Sequence, residues 1–182
     1  RVMAVSSGKG GVGKTNSVVN LAIAFSRMGK KVLLLDADLG LGNLDVLLGL
    51  APRYNIGHLL SGEKTIDEVL VKGPEGVMIL PASSGVHELT DLGAEERIAL
   101  GAHLEELGDA FDIMIIDTGA GISSNVLFFN MSAQEIVVVV TPEPTSITDA
   151  YALMKVMFQK HGERRFRLLV NSVKSKKDGL EV

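Results

Sequence analysis

Gly8 Lys9 Gly10 Gly11 Val12 Gly13 Lys14 Thr15 fits GxxxxGK followed by Ser or Thr, and what stands on either side of it decides the fold. Before it, Arg1 to Ser6 carries Val2 and Val5 among small neighbours, the mark of a short strand. After it, Val18, Leu21, Ala22, Phe25 and Met28 recur at spacings of three and four, and Gly29 stands where a helix C-cap belongs. Strand, glycine loop and helix in that order make a phosphate cradle. The glycines permit positive φ, so that successive N–H groups turn inward, and the helix N-terminus adds about half a positive charge. Lys14 is expected to place a point charge on the β and γ phosphates of a nucleotide, and the Thr15 hydroxyl to ligate Mg²⁺.

Working outward, Val32 to Leu35 is continuously apolar, as suits a strand buried on both faces of a parallel sheet. Similar runs recur at Val77 to Leu80, Ile113 to Ile116, Ile136 to Val140 and Phe166 to Val170. Helical patterns separate them at Thr65 to Val71, Ala94 to Leu107, Ile122 to Ala133 and Ser146 to His161. The expected fold is α/β, a P-loop NTPase with a mostly parallel sheet flanked by helices on both faces. Asp36 to Pro52, with Gly40, Gly42 and Gly49, reads as a long connection on the ligand-bearing edge of that sheet.

Gly8, Gly10 and Gly13 also fit GxGxxG, and Asp36 falls near where a dinucleotide fold holds its ribose acid. That reading has no use for Lys14 beside Thr15, nor for a second strand-end carboxylate. Asp117 supplies one, closing the run Ile113 to Ile116 and opening Asp117 Thr118 Gly119 Ala120 Gly121, as a Walker-B-like acid before a γ-phosphate sensing loop would. Asp36 and Asp38 stand two apart, so a persisting pleat turns both toward the phosphates, one to hold a metal-bound water and the other to orient the attacking water. The plainer alternative makes them loop turn residues, and Lys9 a surface charge that attracts phosphate.

The 182 residues include 18 Lys plus Arg and 22 Asp plus Glu, for a net charge of −4, with 46% hydrophobic residues. This is the composition of one globular domain, taken as residues 1–182, and not of a disordered tail or a fibrous repeat. Purely apolar runs such as Ile136 to Val140 are far below the roughly 18 residues needed to cross a bilayer, and no charged n-region precedes an apolar h-region at the start, so neither a membrane span nor secretion is expected. Without Cys there are no disulfides, thiolate metal sites or thiol nucleophiles. His58, His87, His103 and His161 lack ligand-like spacing and read as solvated or capping residues. The acidic balance disfavours nucleic acid as the main partner. Arg164, Arg165 and Arg167 read as a solvated corner, and Lys174 to Lys177 as a frayed end. Met154 and Met157, with Leu153 and Phe158, are expected in the core.

Lys9 Gly10 Gly11 Val12 Gly13 Lys14 Thr15 resembles the deviant Walker A motif of the MinD/ParA ATPases, whose extra signature lysine reaches the nucleotide of the partner subunit in an ATP-sandwich dimer. Within that family Thr15 Asn16, the run Asp36 to Asp45, Asp117 to Ser123 and Thr141 to Tyr151 resemble a MinD-like branch, the flagellar number regulators FlhG or FleN. The resemblance covers nearly the whole chain and implies a Mg²⁺-dependent ATPase that dimerises with ATP. It assigns Lys9 to trans action, Lys14 to the phosphates and Thr15 to Mg²⁺, with Asp36 and Asp117 supporting the metal and its waters. By the same resemblance Asp38 orients or activates the hydrolytic water. The nucleotide-binding set is then Gly8, Lys9, Gly10, Gly11, Val12, Gly13, Lys14, Thr15, Asn16, Glu143 near the dimer face, and Asn171 as the reader of adenine. Ser172 departs from the arginine that often follows that asparagine.

The implied setting is cytoplasmic and peripheral to the inner membrane. Partners would be a second copy, flagellar regulatory proteins such as the GTPase FlhF, and membrane through a C-terminal amphipathic helix that the chain is expected to lack. Part of Leu41 to Leu50 is expected to reorganise at the dimer face. Other outputs consistent with the same motif are division-site regulation, DNA segregation, and a nucleotide-gated scaffold without hydrolysis, against which Asp38 argues.

Overall fold

The computed structural model describes residues 1–40, 42–82, 91–107 and 110–182. Among these, the strands are β1 (Val2–Ser7), β2 (Val32–Ala37), β3 (Val71–Lys72), β4 (Met78–Leu80), β5 (Ile113–Ala120), β6 (Glu135–Val140) and β7 (Arg167–Val170). The helices are α1 (Lys14–Arg27), α2 (Leu44–Leu48), α3 (Ile56–Leu60), α4 (Ile66–Val69), α5 (Ala94–Glu106), α6 (Ser124–Met131), α7 (Pro144–His161) and α8 (Lys176–Leu180). The strands form one sheet in the order β3-β4-β2-β5-β1-β6-β7. Every pairing is parallel except β3 with β4.

Alternation along the strands sorts the core into two faces. Val5, Leu34, Ile115, Val137 and Val139 pack with Val18, Val19 and Ala22 of α1 on one side. On the other, Leu33, Leu35 and Ile116 pack with Phe129 of α6, Leu100 of α5 and the α3–α4 segment. Ile136, Val138 and Val140 meet Leu127, Leu153 and Met157 there, joining α6 and α7 to β6. All six residues of β2 are buried, as its continuous apolar run requires of a central strand. The expected mostly parallel sheet with helices on both faces is the fold observed.

Several boundaries differ from the sequence expectations. Thr65 to Val71 is a single helical turn, because Ile66 and Val69 already reach the core and Leu70 turns to an extended ψ of 132°. Val71 and Lys72 then pair with Ile79 and Met78 as an antiparallel edge strand. The connection after Asp36 carries α2, stopped by Gly49 in a left-handed conformation. Asn55 caps α3, with its side chain accepting from the Gly57 N–H at 2.9 Å and the His58 ring beside it. The capping role thus holds for His58, whereas His87 lies outside the described residues. Lys174 to Lys177 leads into α8, whose Ser175 cap accepts from the Asp178 N–H. Leu153 and Met157 are core residues, but Phe158 is 46% exposed.

Candidate functional site

The parallel strands bring their C-terminal ends to one edge, and β1 between β5 and β6 delivers the glycine loop there. Of the loop glycines, Gly11 and Gly13 take positive φ, at 77° and 86°. Gly8 serves a purpose other than the expected one. A Cβ there would stand 2.1 Å from the carbonyl carbon of Asp149, so the loop lies directly on the α7 backbone. Gly13 is the N-cap of α1, and no side chain caps that helix. Its first-turn amides therefore face the loop, an arrangement suited to an anion.

Lys14 is buried and paired through Nζ with the Asp117 carboxylate, and Thr15 follows it on the first turn of α1, its hydroxyl among the groups that oppose the rise in the Asp117 pKa. Asp117 faces α1 because it alternates with Ile116 along β5, and the strand runs on past it to Ala120. Asp36 is the cross-strand neighbour of Asp117. Its Oδ1 accepts from the Asp38 N–H at 3.2 Å and its Oδ2 from the Leu44 N–H at 3.3 Å, which anchors the start of α2. Asp38 is half-buried, with Oδ1 3.6 Å from the position a Cβ would take at Gly119.

Burial raises the Asp36 pKa to about 7, the nearby Asp117 charge adding to the shift and the two backbone N–H donors opposing it. Burial also raises that of Asp117, despite the ammonium of Lys14. Among the described residues, no three acidic or imidazole groups converge into a ready-made metal site. The Thr15 hydroxyl with Asp36 and Asp117 nevertheless makes a hard oxygen donor set suited to Mg²⁺, which keeps several waters and takes one or two carboxylates beside substrate phosphates.

At the rim of the site, Lys9 Nζ donates to Glu143 Oε2 at 2.8 Å and to Thr145 Oγ1 at 3.1 Å. Lys9 and Glu143, with Gly10 to Val12 and Ser172, line a cavity of about 690 Å³. Asn171 braces the loop. Its Nδ2 donates to the Val12 carbonyl at 2.9 Å and leaves no room for a side chain at Gly13. Asn16 is exposed on the first turn of α1. Of α2, Leu44 is buried while Val46 and Leu47 are 75% and 46% exposed; Leu41 lies outside the described residues.

The structure thus gathers Lys14, Thr15, Asp36, Asp38 and Asp117 at one end of the glycine loop, with Lys9 and Glu143 at the other. Neither the seat of Gly8 on α7 nor the bracing by Asn171 has a local sequence signal, since both join segments more than a hundred residues apart. A glycine cradle, its buried lysine and a second lysine at the loop's entrance together make up the deviant Walker A pattern.

The chain belongs to the MinD/ParA family of P-loop ATPases. The AAA domain family model matches residues 1–168. Antiactivator FleN of Pseudomonas aeruginosa is 47% identical over 179 residues, which is 98% of this chain and 64% of that protein. Flagellum site-determining protein YlxH of Helicobacter pylori is 39% identical, over 98% of this chain and 60% of its own length. The septum site-determining protein MinD of Pyrococcus horikoshii, solved with Mg-ADP, superposes with a TM-score of 0.79 at 29% identity, over 98% of this chain and 73% of that one. The chain therefore spans about three fifths of the length of the two curated relatives.

Proposed function

We propose that this chain is the ATPase core of a Mg-ATP-dependent dimerising switch that regulates flagellar number and placement. The observation that carries the reading is the buried Lys14–Asp117 pair, set against an uncapped helix N-terminus with Thr15 and Asp36 beside it. Mg²⁺, when bound with ATP, supplies charge that neutralises the developing negative charge on the phosphates. Lys14 orients and neutralises from within the cradle, Thr15 and the two buried aspartates hold the metal and its waters, and Asp38 positions the attacking water. Lys9 stands at the rim on a half-exposed partner and is the residue able to reach across to a second copy.

The flagellar output is carried over from the FleN and YlxH likenesses. On that reading the antiactivator's target, a regulatory protein, is the partner, with the GTPase FlhF a second candidate and the inner membrane face the place of action. Division-site regulation is the alternative favoured by the likeness to MinD. DNA segregation is disfavoured by the state of the basic cluster. Arg167 pairs with Glu135 at 3.1 Å, Arg165 with Glu163 at 3.7 Å, and Arg164 lies over the Phe158 ring.

Light scattering of Asp38→Ala tests the switch. With hydrolysis blocked, Mg-ATP should give a dimer and Mg-ADP a monomer. A monomer with ATP bound would overturn the dimerising switch, and failure to bind ATP would overturn the P-loop reading.

A further inference from the structure

Ser6, Thr118 and Asn130 form a fully buried polar cluster that the proposed function leaves without a role. Ser6 lies two residues before Gly8, Thr118 directly follows Asp117, and Asn130 sits near the end of α6. The three meet on the α6 face of the sheet, the side opposite Asp117 and Lys14. They also meet where the β1–β5 register slips. Val5 pairs with Asp117 but Ser7 with Ala120, so Thr118 and Gly119 together stand opposite Ser6.

Side chains bridge the strands at this irregularity. Asn130 Nδ2 donates to Ser6 Oγ at 2.7 Å and to the Val126 carbonyl at 2.7 Å, and its Oδ1 lies 3.0 Å from the same serine oxygen. Ser6 Oγ and Thr118 Oγ1 are 2.7 Å apart, and the Thr118 hydroxyl has two carbonyls within donating distance, Gly119 at 2.8 Å and Val5 at 3.3 Å, of which Gly119 is the nearer. Each hydroxyl has one proton, so with the Thr118 proton on the nearer Gly119 carbonyl, the short Ser6–Thr118 contact takes the Ser6 proton and Asn130 Nδ2 donates to Ser6, a chain that runs from Asn130 to the Gly119 carbonyl. Replacing Asn130 by leucine would take the amide partner away from the buried Ser6 hydroxyl and so cut the chain at its first link.

We propose that Asn130 is a positioning residue: through Ser6 and Thr118 it fixes the Gly119 peptide, and with it the loop Asp117 to Gly121, against the P-loop. Because the peptide is planar, holding the Gly119 carbonyl also sets the direction of the Ala120 N–H. A second tie, from the Gly121 N–H to the Ser7 carbonyl at 2.9 Å, closes the same loop onto the end of β1. Asp38 lies against Gly119, so a turn of that peptide moves the loop relative to the proposed water-positioning carboxylate. The glycine cradle and Lys14 stay in place. The catalytic consequence rests on the ATPase reading, while the conformational one does not.

The test compares wild type with Asn130→Leu and with the pair Thr118→Val and Thr118→Ser. In the nucleotide-free protein, amide exchange at Gly119 to Gly121 should speed up by about tenfold or more in Asn130→Leu and Thr118→Val, with the core of β1 unchanged. At saturating Mg-ATP, kcat should fall about tenfold or more with KM within about threefold, since small misplacements near a reacting centre are costly. Thr118→Ser, which keeps the hydroxyl, should recover most of both losses. A lower melting temperature with unchanged loop exchange and unchanged kcat would overturn the proposal. Wild type without any hydrolysis would overturn the ATPase reading and leave the exchange comparison to decide the positioning role. If Asn130→Leu does not fold, the threonine pair decides both.

Discussion

Lys14 and Lys9 belong to the same loop and each pairs with a carboxylate, yet the two ends of the site differ in physical character. At the phosphate end, the side chains of Lys14 and Asp117 are 9% and 3% exposed. At the rim, those of Lys9 and Glu143 are 39% and 63% exposed. A buried pair pays for desolvation, and removing one partner strands the other charge. An exposed pair is screened, contributes about 0–1 kcal/mol, and is readily exchanged for another partner. One lysine is thus built into the cradle and the other is held loosely at its lip, a division of labour that suits a fixed phosphate ligand and a residue that changes partners.

The largest effect is expected at the buried end. Lys14→Ala removes the only side-chain ammonium in contact with Asp117 among the described residues, along with the charge offered to phosphate. Affinity for Mg-ATP should fall by about a hundredfold or more, the scale for truncating a buried charged partner. Titration with a fluorescent nucleotide measures it. Binding within threefold of wild type would place the phosphates elsewhere.

A smaller, pH-dependent effect sharpens the same contrast. A carboxyl group whose folded pKa is raised binds more protons in the native than in the unfolded state between its two pKa values. Stability of the metal-free protein should therefore fall as pH rises from about 4 to about 7 and level off above, with Asp36 contributing at most about 1.4 kcal/mol per pH unit. Urea midpoints across that range should show the slope in wild type and lose most of it in Asp36→Asn. Added Mg²⁺ with nucleotide should flatten it too, by favouring the charged carboxylate. A wild-type slope of the opposite sign would mean that Asp36 is charged in the folded protein at low pH.

The sequence made the buried end legible because its parts are local. A glycine loop between strand and helix, and carboxylates following two apolar runs, are short-range signals; the loop stands between β1 and α1 as expected, while β2 and β5 run on past Asp36 and Asp117, which are cross-strand neighbours. The rim was legible only through resemblance, since Lys9 and Glu143 lie far apart in the chain and neither has a distinctive neighbourhood. The Ser6–Thr118–Asn130 cluster left no mark, because small polar residues in a strand or helix look solvent-facing until the packing is known. Val71, the first residue of the edge strand β3, falls within the expected helix Thr65 to Val71 for a related reason. Ile66 and Val69 have a helical spacing, and only the pairing of Val71 with Ile79 shows where the helix gives way.

The smallest effect on the isolated chain, and the one that most directly separates the two ends, is expected from Lys9→Ala. Among the described residues the ammonium of Lys9 donates only to Glu143 and Thr145, both exposed, and its removal strands no buried charge among them. Stability should change by no more than about 0.5 kcal/mol, as for most surface substitutions, and monomer affinity for Mg-ADP by no more than about threefold. Hydrolysis should nevertheless fall by about 10³-fold or more if the lysine acts across a dimer, the scale of a charge supplied in trans. Mixing Lys9→Ala with Asp38→Ala then gives a further readout, because a trans lysine from the Asp38→Ala subunit can serve the intact Asp38 of its partner. Recovery of activity in the mixture would assign Lys9 to the opposite site. Equal, unrescued loss would return it to the loop that carries it, where its pairing with Glu143 makes it a part of its own subunit's site.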